Sequence, residues 1–280
     1  MKKNILLLIV FLLGSNLSAQ EFNVITYNIR NNNPKNNDGE NAWSFRRKMV
    51  CQLLEFHDAD IFGIQEAYYD QVQYIDSYFK KFRWIGVGRD DGEKAGEFSP
   101  IFYNYEIFQL KKKGWFWLSE TPNKPSKGWD ASNIRICTWG LFSHKTSGRD
   151  FFIFNTHFDN RGVEAKKHSV DLVLQKIKEL NKEKIPLIFM GDLNMSPQCE
   201  FIEYLKKYLY DSRDISEEPA YGPYGTTNGF NFLSDLKKRI DYIFVNDRFA
   251  VKKYAVLSDS KDTRYFSDHL PVFVRLGFKE

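Results

Sequence analysis

The sequence predicts an α/β fold in which two packed β-sheets are covered by helices. Predicted strands outnumber predicted helices, several strands are apolar on both faces, and hairpins occupy the middle of the chain. Strands that are apolar on both faces are typical of sheets inside layered α/β proteins. A purely parallel doubly wound sheet fits less well, because consecutive hairpins are antiparallel.

The first half of the chain begins with strands and helices and then becomes rich in strands. Residues 22–29 are predicted to be the first strand, and residues 61–66 a short buried strand that ends on a carboxylate. Residues 68–79 are predicted to be a helix. An earlier helix is indicated by apolar residues at helical spacing: Phe45, Met49, Leu53 and Phe56. Further strands are predicted over residues 83–89, 100–103, 108–112 and 114–118.

The second half centres on an apolar strand at residues 185–190. It stops at Gly191, and Asp192 and Asn194 follow at once. Ser196-Pro197 is then typical of a helix N-terminus and predicts a helix reaching residue 209. The other predicted elements are a hairpin over residues 134–144 and 150–158, a helix over 163–180, and strands over 240–245, 251–257 and 271–276.

Residues 1–19 are predicted to be a secretory signal peptide. A basic start is followed by an apolar core at residues 5–13 and by small and polar residues, so we expect cleavage near Ala19. Residues 20–280 contain no linker or internal repeat and are predicted to be one domain. We expect a monomer exported to the periplasm or outside the cell, without stable membrane insertion because no long apolar stretch remains.

Charge and cysteine content argue against two classes of protein. A formal net charge of +4 is far from the strong basic field of a dedicated nucleic-acid binder. It is compatible with an anionic substrate but does not imply one. The three cysteines are too few and odd in number for a disulfide framework, and Cys51 and Cys137 are expected in the core.

Polar side chains recur at the ends of apolar strands. Each alone could be a cap, a turn or a solvated end, but a set that follows different core strands indicates a pocket. So many carboxylates need a compensating charge, and oxygen ligands without cysteine favour Mg²⁺ or Mn²⁺ over a structural zinc site. The residues are Asn28, Glu66, His157, Asp159, Asp192, Asn194, Asp241, Asp268 and His269.

Six motifs resemble, in the family's order, those of the endonuclease/exonuclease/phosphatase superfamily, the DNase I-like metal-dependent phosphoesterases. They span residues 26–271, and secreted bacterial members look most similar. The resemblance implies a four-layer α-β-β-α sandwich of two mixed sheets flanked by helices. The motifs are Thr26-Tyr-Asn-Ile29, Gln65-Glu66, Asn155-Thr-His-Phe-Asp159, Gly191-Asp-Leu-Asn194, Arg239-Ile-Asp-Tyr-Ile-Phe244 and Ser267-Asp-His-Leu-Pro271.

The resemblance also implies a metal site. Glu66 would be the main carboxylate ligand of Mg²⁺ or Mn²⁺. Asn28 and Asp268 would lie close to the metal and to the scissile phosphate, so that Asn28 would also bind substrate. The metal would neutralise phosphate charge and polarise the ester bond.

Five further residues acquire catalytic roles from the resemblance. Asp192, helped by Asn194, would orient or deprotonate the attacking water. His269, paired with Asp241, would hold a phosphate oxygen or act as an acid or base, because a carboxylate partner fixes the tautomer and stabilises the imidazolium. His157 would hydrogen-bond the phosphate or protonate the leaving oxygen.

A second group of residues admits two interpretations. Arg89 and Arg135 stand at the ends of predicted strands and could each grip a phosphate or pair with a surface acid. Glu97 could likewise belong to the site or have only a structural role. Asp159 could bind substrate or tune His157. The aromatic run at residues 115–117 could be a membrane-inserting patch, but its place in an apolar strand favours core packing.

The sequence therefore favours a secreted, divalent-metal-dependent phosphoesterase that acts on a diester or a monoester. The substrate stays open among nucleotides or nucleic acids, sugar or inositol phosphates, and lipid headgroups. A non-specific secreted nuclease and a sphingomyelinase-type phospholipase are the alternatives within this chemistry. A binding module that has kept the fold is a third, and it is disfavoured because no matched catalytic position is lost.

Overall fold

A computed structural model describes residues 21–280, and the predicted signal peptide lies outside the described residues. The α-helices are α1 (Trp43–Phe56), α2 (Tyr69–Tyr78), α3 (Val163–Leu180) and α4 (Glu200–Leu205). The strands are β1 (Glu21–Asn28), β2 (Ile61–Gln65), β3 (Phe82–Ile85), β4 (Ile101–Asn104), β5 (Phe108–Trp117), β6 (Ile136–His144), β7 (Asp150–His157), β8 (Leu187–Asp192), β9 (Tyr210–Asp211), β10 (Asp241–Val245), β11 (Phe249–Val256), β12 (Ser260–Lys261), β13 (Arg264–Tyr265) and β14 (Val272–Phe278).

Two six-stranded sheets pack face to face between two layers of helices. The first sheet has the order β11-β14-β1-β2-β4-β3, and the second has the order β5-β6-β7-β8-β10-β9. Only the pairs β1/β2 and β7/β8 are parallel within these described sheets. The predicted fold class, an α/β sandwich with four layers, is confirmed.

The layers arise because successive side chains of each strand point to opposite faces of its sheet. Val24 and Ile188 point into the core between the sheets, whereas their neighbours Ile25 and Phe189 point outward. The outward residues of the first sheet pack against α1 and α2, and those of the second pack against α3 and α4. Both faces of each sheet are therefore buried, which explains why the strands read as apolar throughout.

The aromatic run at residues 115–117 belongs to the core. Phe116 and Trp117 are buried, and Trp115 is half-buried against the cluster of Val87, Trp117 and Ile136. No helix in residues 21–280 has the length and apolar character needed to cross a membrane. The preference for core packing over a membrane-inserting patch is thus confirmed for these residues.

Three predicted boundaries are wrong. The helix expected to start at Ser196 begins at Glu200 and ends at Leu205, because the Cys199 N–H closes a turn on the Ser196 carbonyl and the Cys199 carbonyl accepts the first helical bonds. The strand expected to reach residue 89 ends at Ile85, where Gly86 follows with φ +142°. The two strands expected over residues 108–118 are one bulged strand, β5.

The strand register brings the ends of β1, β2, β7 and β8 to one edge of the sandwich. Asn28 pairs with Gln65 at the end of the first parallel pair, and His157 pairs with Asp192 at the end of the second. Asp241 lies opposite Asp192 on the antiparallel neighbour β10. The sheet register alone therefore gathers most of the polar residues singled out in the sequence.

A buried amide network joins the two sheets directly beneath this edge. Gln65 of the first sheet donates to Oδ1 of Asn155 in the second at 2.7 Å. The amide of Asn155 donates in return to the carbonyls of Ile64 (3.0 Å) and Pro100 (2.8 Å). Gly63 allows this close approach, because a Cβ there would lie 2.7 Å from Cγ of Asn155.

A buried ion pair anchors the segment that leads into β10. Arg239 donates to both carboxylate oxygens of Asp211, at 3.2 and 2.5 Å, and its guanidinium lies over the ring of Tyr242. Both charged residues are almost fully buried. The pair fixes the chain two residues before Asp241 and so helps to place that carboxylate.

We expect Asp211→Ala to lower the free energy of unfolding by about 3–5 kcal/mol, because it leaves a buried guanidinium without its carboxylate. Urea denaturation followed by tryptophan fluorescence measures the change. Asp214→Ala is the control, since it removes the solvent-exposed partner of Lys206 and should cost at most about 1 kcal/mol. Equal losses in the two variants would contradict an anchoring role for the buried pair.

Candidate active site

A cavity of about 480 Å³ opens at the edge where the strand ends meet. Acidic and basic side chains share its walls, together with both histidines of the predicted site. The acidic residues are Glu66, Glu97, Asp192 and Asp268, the basic ones are Arg30, Arg89, Arg135 and Lys238, and the histidines are His157 and His269. Ile240 is the one large apolar residue among the lining residues described.

Asn28 lies beneath the cavity and connects two of its carboxylates. Its amide donates to Oε1 of Glu66 and to Oδ2 of Asp192, each at 3.0 Å, and its Oδ1 accepts the backbone N–H of Arg30. The residue is fully buried and does not line the cavity. Asn28 therefore orients the two carboxylates, and its expected contact with a metal and with substrate stays a prediction.

Glu66 is held as an ionised carboxylate in a left-handed backbone conformation. Its φ of +66° is uncommon outside glycine and is maintained by the surrounding bonds. The backbone N–H and the side-chain amide of Asn31 both donate to Oε2, at 3.2 and 2.9 Å. Burial raises the pKa of Glu66, but the donor Asn28, the charge of His269 and the N–H of Asn31 lower it overall.

Asp268 is the second acid on this side of the cavity. Burial raises its pKa, the charge of His269 opposes the rise, and the nearby Glu66 carboxylate adds to it. Two buried acids that repel each other are a site that a cation would stabilise. Their oxygen donors suit a hard divalent cation.

His269 and Asp241 form a buried ion pair behind the cavity. Nδ1 of His269 lies 2.9 Å from Oδ2 of Asp241. Burial lowers the pKa of His269, but Asp241 raises it well above its ordinary value, so the ring is a cation. Although the ligand atoms of Asp192, Asp241 and His269 lie within 4.8 Å of one another, the protonated ring bonded to Asp241 is a poor metal ligand.

Asp192 stands between the cationic ring and the other histidine. Its Oδ2 is 3.8 Å from Nε2 of His269 and 3.5 Å from Nε2 of His157, while Oδ1 accepts the backbone N–H of Asn194 at 2.9 Å. Burial and the nearby Asp241 raise the pKa of Asp192 to about 7, against the charge of His269. A carboxylate with that pKa can exchange a proton with water near neutral pH.

His157 is a neutral ring whose proton lies on Nδ1. Burial and the charges of Arg135 and Arg89 hold its pKa well below the ordinary value. The amide of Asn194 donates to the Phe158 carbonyl and also to Nε2 of His157, at 3.1 and 3.0 Å. Because Nε2 accepts a hydrogen bond, Nδ1 carries the proton, and it has no partner in the described chain.

Arg89 forms an ion pair with Glu97. Its Nη1 lies 2.5 Å from Oε2 of Glu97, and its Nε is 3.7 Å from Asp90. Burial raises the pKa of Glu97 to about 7, although Arg89 opposes the rise. Asn31 also donates to Glu97 at 3.3 Å, so one amide connects this acid to Glu66. Of the two interpretations of Arg89, the geometry favours pairing with an acid.

Asp159 binds the backbone of a neighbouring loop, and its expected contact with substrate stays a prediction. Its carboxylate is almost fully buried and does not line the cavity. The hydroxyl of Ser132 and four backbone N–H groups donate to it. The four are those of Ser132, Asn133, Arg161 and Gly162.

Some lining residues were not predicted from the sequence. Asn31 and Lys238 carry no signal of their own, although each stands one to three residues from a motif that was singled out. Asn160, next to Asp159, and Thr227, in the loop between β9 and β10, also line the cavity, and the sequence indicates both as residues near the site. Asn133, in the loop before β6, lines the cavity without such an indication. Proximity to the motifs was the only signal that could have indicated them.

Comparison with known proteins gives close matches over most of the chain. Residues 25–269 match the model of the Endonuclease/Exonuclease/phosphatase family. The crystal structure of a protein of that family from Bacteroides thetaiotaomicron is 40% identical, with a TM-score of 0.89, over 93% of this chain and 99% of the other. A mannosyl-6-phosphatase of the same bacterium is also 40% identical, with a TM-score of 0.87, over 92% of this chain and 100% of the other.

A distant relative extends the similarity to a nuclease. The CCR4-Not complex 3'-5'-exoribonuclease subunit of Aspergillus niger is 20% identical over 270 residues, which is 72% of this chain and 41% of that protein. The chain thus spans less than half the length of this relative. Together the comparisons confirm the predicted family and the predicted class of enzyme, a hydrolase of phosphate esters.

We expect Asp159→Ala to lower the free energy of unfolding by about 2–3 kcal/mol at pH 7, because it removes a charged acceptor from several buried donors. Burial raises the pKa of Asp159, but these donors hold it below the ordinary value of 3.8. The stabilisation is therefore present above the unfolded-state pKa and is lost as pH falls through the folded-state pKa. Urea denaturation from pH 7 to pH 3 should show the gap to wild type narrowing below about pH 4.

Asp130→Ala is the matched control for this prediction. Asp130 is exposed and accepts N–H groups only at the start of α3, so its loss should destabilise the protein less. An Asp159→Ala protein of normal stability with a raised KM would support the substrate-binding interpretation.

Proposed function

The chain belongs to the endonuclease/exonuclease/phosphatase family, and from this premise we propose that it hydrolyses a phosphate ester of a small, hydroxylated substrate such as a sugar. The observation that carries the proposal is the convergence of two acids suited to a cation, a carboxylate base and two differently charged histidines on one cavity. Enzymes of the family depend on a divalent metal. The oxygen donors of Glu66 and Asp268 lead us to propose Mg²⁺ or Mn²⁺.

The size and polarity of the cavity favour a small substrate. A volume of about 480 Å³ is in the range of small-molecule sites. The amides of Asn133 and Asn160 and the hydroxyl of Thr227 line it and suit sugar hydroxyl groups. The similarity to a mannosyl-6-phosphatase over the whole of that chain supports a sugar phosphate. A net charge of +4 lacks the basic excess that binding a long polyanion requires.

The described residues divide the chemistry of hydrolysis among them. Asp192 takes a proton from the attacking water, and Asn194 holds the carboxylate through its backbone N–H. The cationic His269 stabilises the negative charge that grows on the phosphoryl oxygens. His157 donates a hydrogen bond from Nδ1 to the phosphate or to the leaving oxygen. A bound divalent cation supplies charge neutralisation and polarises the ester.

Export belongs to the same proposal. We propose that residues 1–19 direct the chain across a membrane and are removed, so that residues 20–280 act as a single domain in the periplasm or outside the cell. An exported hydrolase of small phosphate esters would release sugars and phosphate from material outside the cytoplasm.

We expect purified residues 20–280 to hydrolyse mannose 6-phosphate with Mg²⁺ or Mn²⁺ and to lose this activity in EDTA. Glu66→Ala and His269→Ala should each lower kcat/KM by on the order of 10²–10³-fold, because Glu66→Ala removes a carboxylate proposed to hold the cation and His269→Ala removes a positive charge beside the phosphate. Released phosphate is the readout. His168→Ala is the matched control, since His168 lies on the exposed face of α3, and it should keep full activity.

The same assay separates the alternatives. Higher kcat/KM on RNA or DNA would replace the proposal with a nuclease, and on sphingomyelin with a phospholipase. Undiminished activity in His269→Ala would overturn the catalytic role proposed for this cationic ring. Absence of metal-dependent turnover on every substrate would favour a binding module.

We expect the full chain, expressed in a bacterial host, to be recovered outside the cytoplasm with a new N-terminus near Gln20. Leu8→Arg places a charge in the apolar core of the signal and should leave the chain uncleaved in the cytoplasm. Mass spectrometry of the fractionated protein distinguishes the two forms. An uncleaved wild-type chain in the cytoplasm would refute the export proposal.

A further inference from the structure

Arg135 is a buried guanidinium in the wall of the catalytic cavity. Its side chain is 5% exposed, and neither Nε nor Nη1 has a hydrogen-bond partner within residues 21–280. The nearest carboxylate oxygen, Oδ2 of Asp159, lies 3.5 Å from Nε. That oxygen already accepts the backbone N–H groups of Ser132 and Asn133. The protein therefore surrounds this cation without satisfying its donors.

Other arginines of comparable burial have hydrogen-bond partners within the protein. Among the described residues, Arg46 and Arg239 are buried to the same degree as Arg135. Arg239 leaves its Nε unpaired but makes two hydrogen bonds to Asp211. Arg46 donates to four backbone carbonyls, those of Ile29, Arg30, Asn41 and Phe266. The lack of partners at Arg135 is therefore a property of its position and not of buried arginines in this fold.

Unsatisfied donors on a permanently charged group are expensive to keep inside a protein. Burial and the charge of Arg89 lower the pKa of Arg135, against the attraction of Glu97 and Asp159, so the site favours an additional negative charge. Arg135 lines the cavity, which gives a ligand access to it. The planar fork of a guanidinium matches a pair of anionic oxygens on one phosphate or carboxylate, and a phosphate ester supplies such a pair.

The position of Arg135 relates it to the reacting phosphate. It immediately precedes β6, which pairs with β7, the strand that ends at His157. Nδ1 of His157 is a further unpartnered donor at this cavity. Glu66 and Asp268, which suit a cation, also face the cavity. A phosphoryl group bound here would meet a cation and these donors together.

We propose that Arg135 binds the terminal oxygens of a phosphate monoester and makes the cavity selective for monoesters over diesters. A monoester presents three terminal oxygens and two negative charges, whereas a diester presents two oxygens and one charge. The second ester group of a diester would place an uncharged, weakly accepting oxygen where the fork needs an anionic one. The inference rests on the proposed function and names the substrate class of that same cavity.

The test compares p-nitrophenyl phosphate with methyl p-nitrophenyl phosphate, which share a leaving group and differ only in the second ester. We expect wild type to favour the monoester by at least about tenfold in kcat/KM. Arg135→Gln should lower kcat/KM for the monoester by about 10- to 100-fold and change the diester by no more than about threefold. Arg135→Lys keeps the charge without the fork and should recover part of the preference.

Arg161→Gln is the matched control, because Arg161 is exposed and the substitution removes the same charge near the same loop. It should leave the monoester-to-diester ratio unchanged. Equal losses on both esters in Arg135→Gln, or a wild-type preference for the diester, would overturn the proposal.

A binding measurement keeps the inference separate from the proposed function. If wild type hydrolyses neither ester, calorimetry with inorganic phosphate and Mg²⁺ decides the matter. Wild type binding phosphate at least tenfold more tightly than Arg135→Gln would support the anion-binding role although the proposed function had failed. Equal binding by the two proteins would reject the role of Arg135.

Discussion

The hydrogen bonds that Gln65 and Asn155 make between the two sheets are the contacts on which the site depends. Gln65 donates to Oδ1 of Asn155 across the interface and to Thr26 within its own sheet, and the amide of Asn155 donates to the carbonyls of Ile64 and Pro100. A buried amide pair tolerates little change in register, because a slip would leave donors unpaired at a cost of about 1–3 kcal/mol each. Gln65 precedes Glu66, and Asn155 lies two residues before His157. The pair therefore sets the distance between the Glu66 side and the His157 side of the cavity.

The two histidines show how one cavity maintains opposite protonation states. His269 is bonded to a buried carboxylate and carries a charge. His157 has guanidinium groups nearby and accepts a hydrogen bond from Asn194, so it is neutral. Burial lowers the pKa of both rings, so it accounts for the neutral state of His157 but not for the charge on His269. The difference comes from one partner, Asp241, and from the arginines on the other side, which allows one ring to stabilise charge while the other donates a hydrogen bond.

The sequence predicts the layers and gathers the motif residues because strand ends and apolar periodicity are local signals. It cannot tell which guanidinium remains free, because that depends on contacts between distant segments. Arg89 and Arg135 are equivalent in the sequence, yet only Arg89 donates a hydrogen bond to a carboxylate, that of Glu97. Asp159 looks like a site residue for the same reason, although folding turns it toward loop N–H groups. The helix start expected at Ser196 is wrong because residues 196–199 form a turn, in which the Cys199 N–H donates to the Ser196 carbonyl, and Cys199 takes the N-cap position.

The unsatisfied polar atoms of the lining residues indicate which kind of ligand the cavity suits. Unpartnered donors at Arg89, Arg135 and His157 all belong to residues that line it. The ionised acid Glu66, by contrast, has each carboxylate oxygen bonded to an amide. A cavity in which Glu66 is satisfied and these donors are free suits a ligand that brings acceptors and negative charge. Phosphate has both, and the donors then discriminate by how many anionic oxygens it presents.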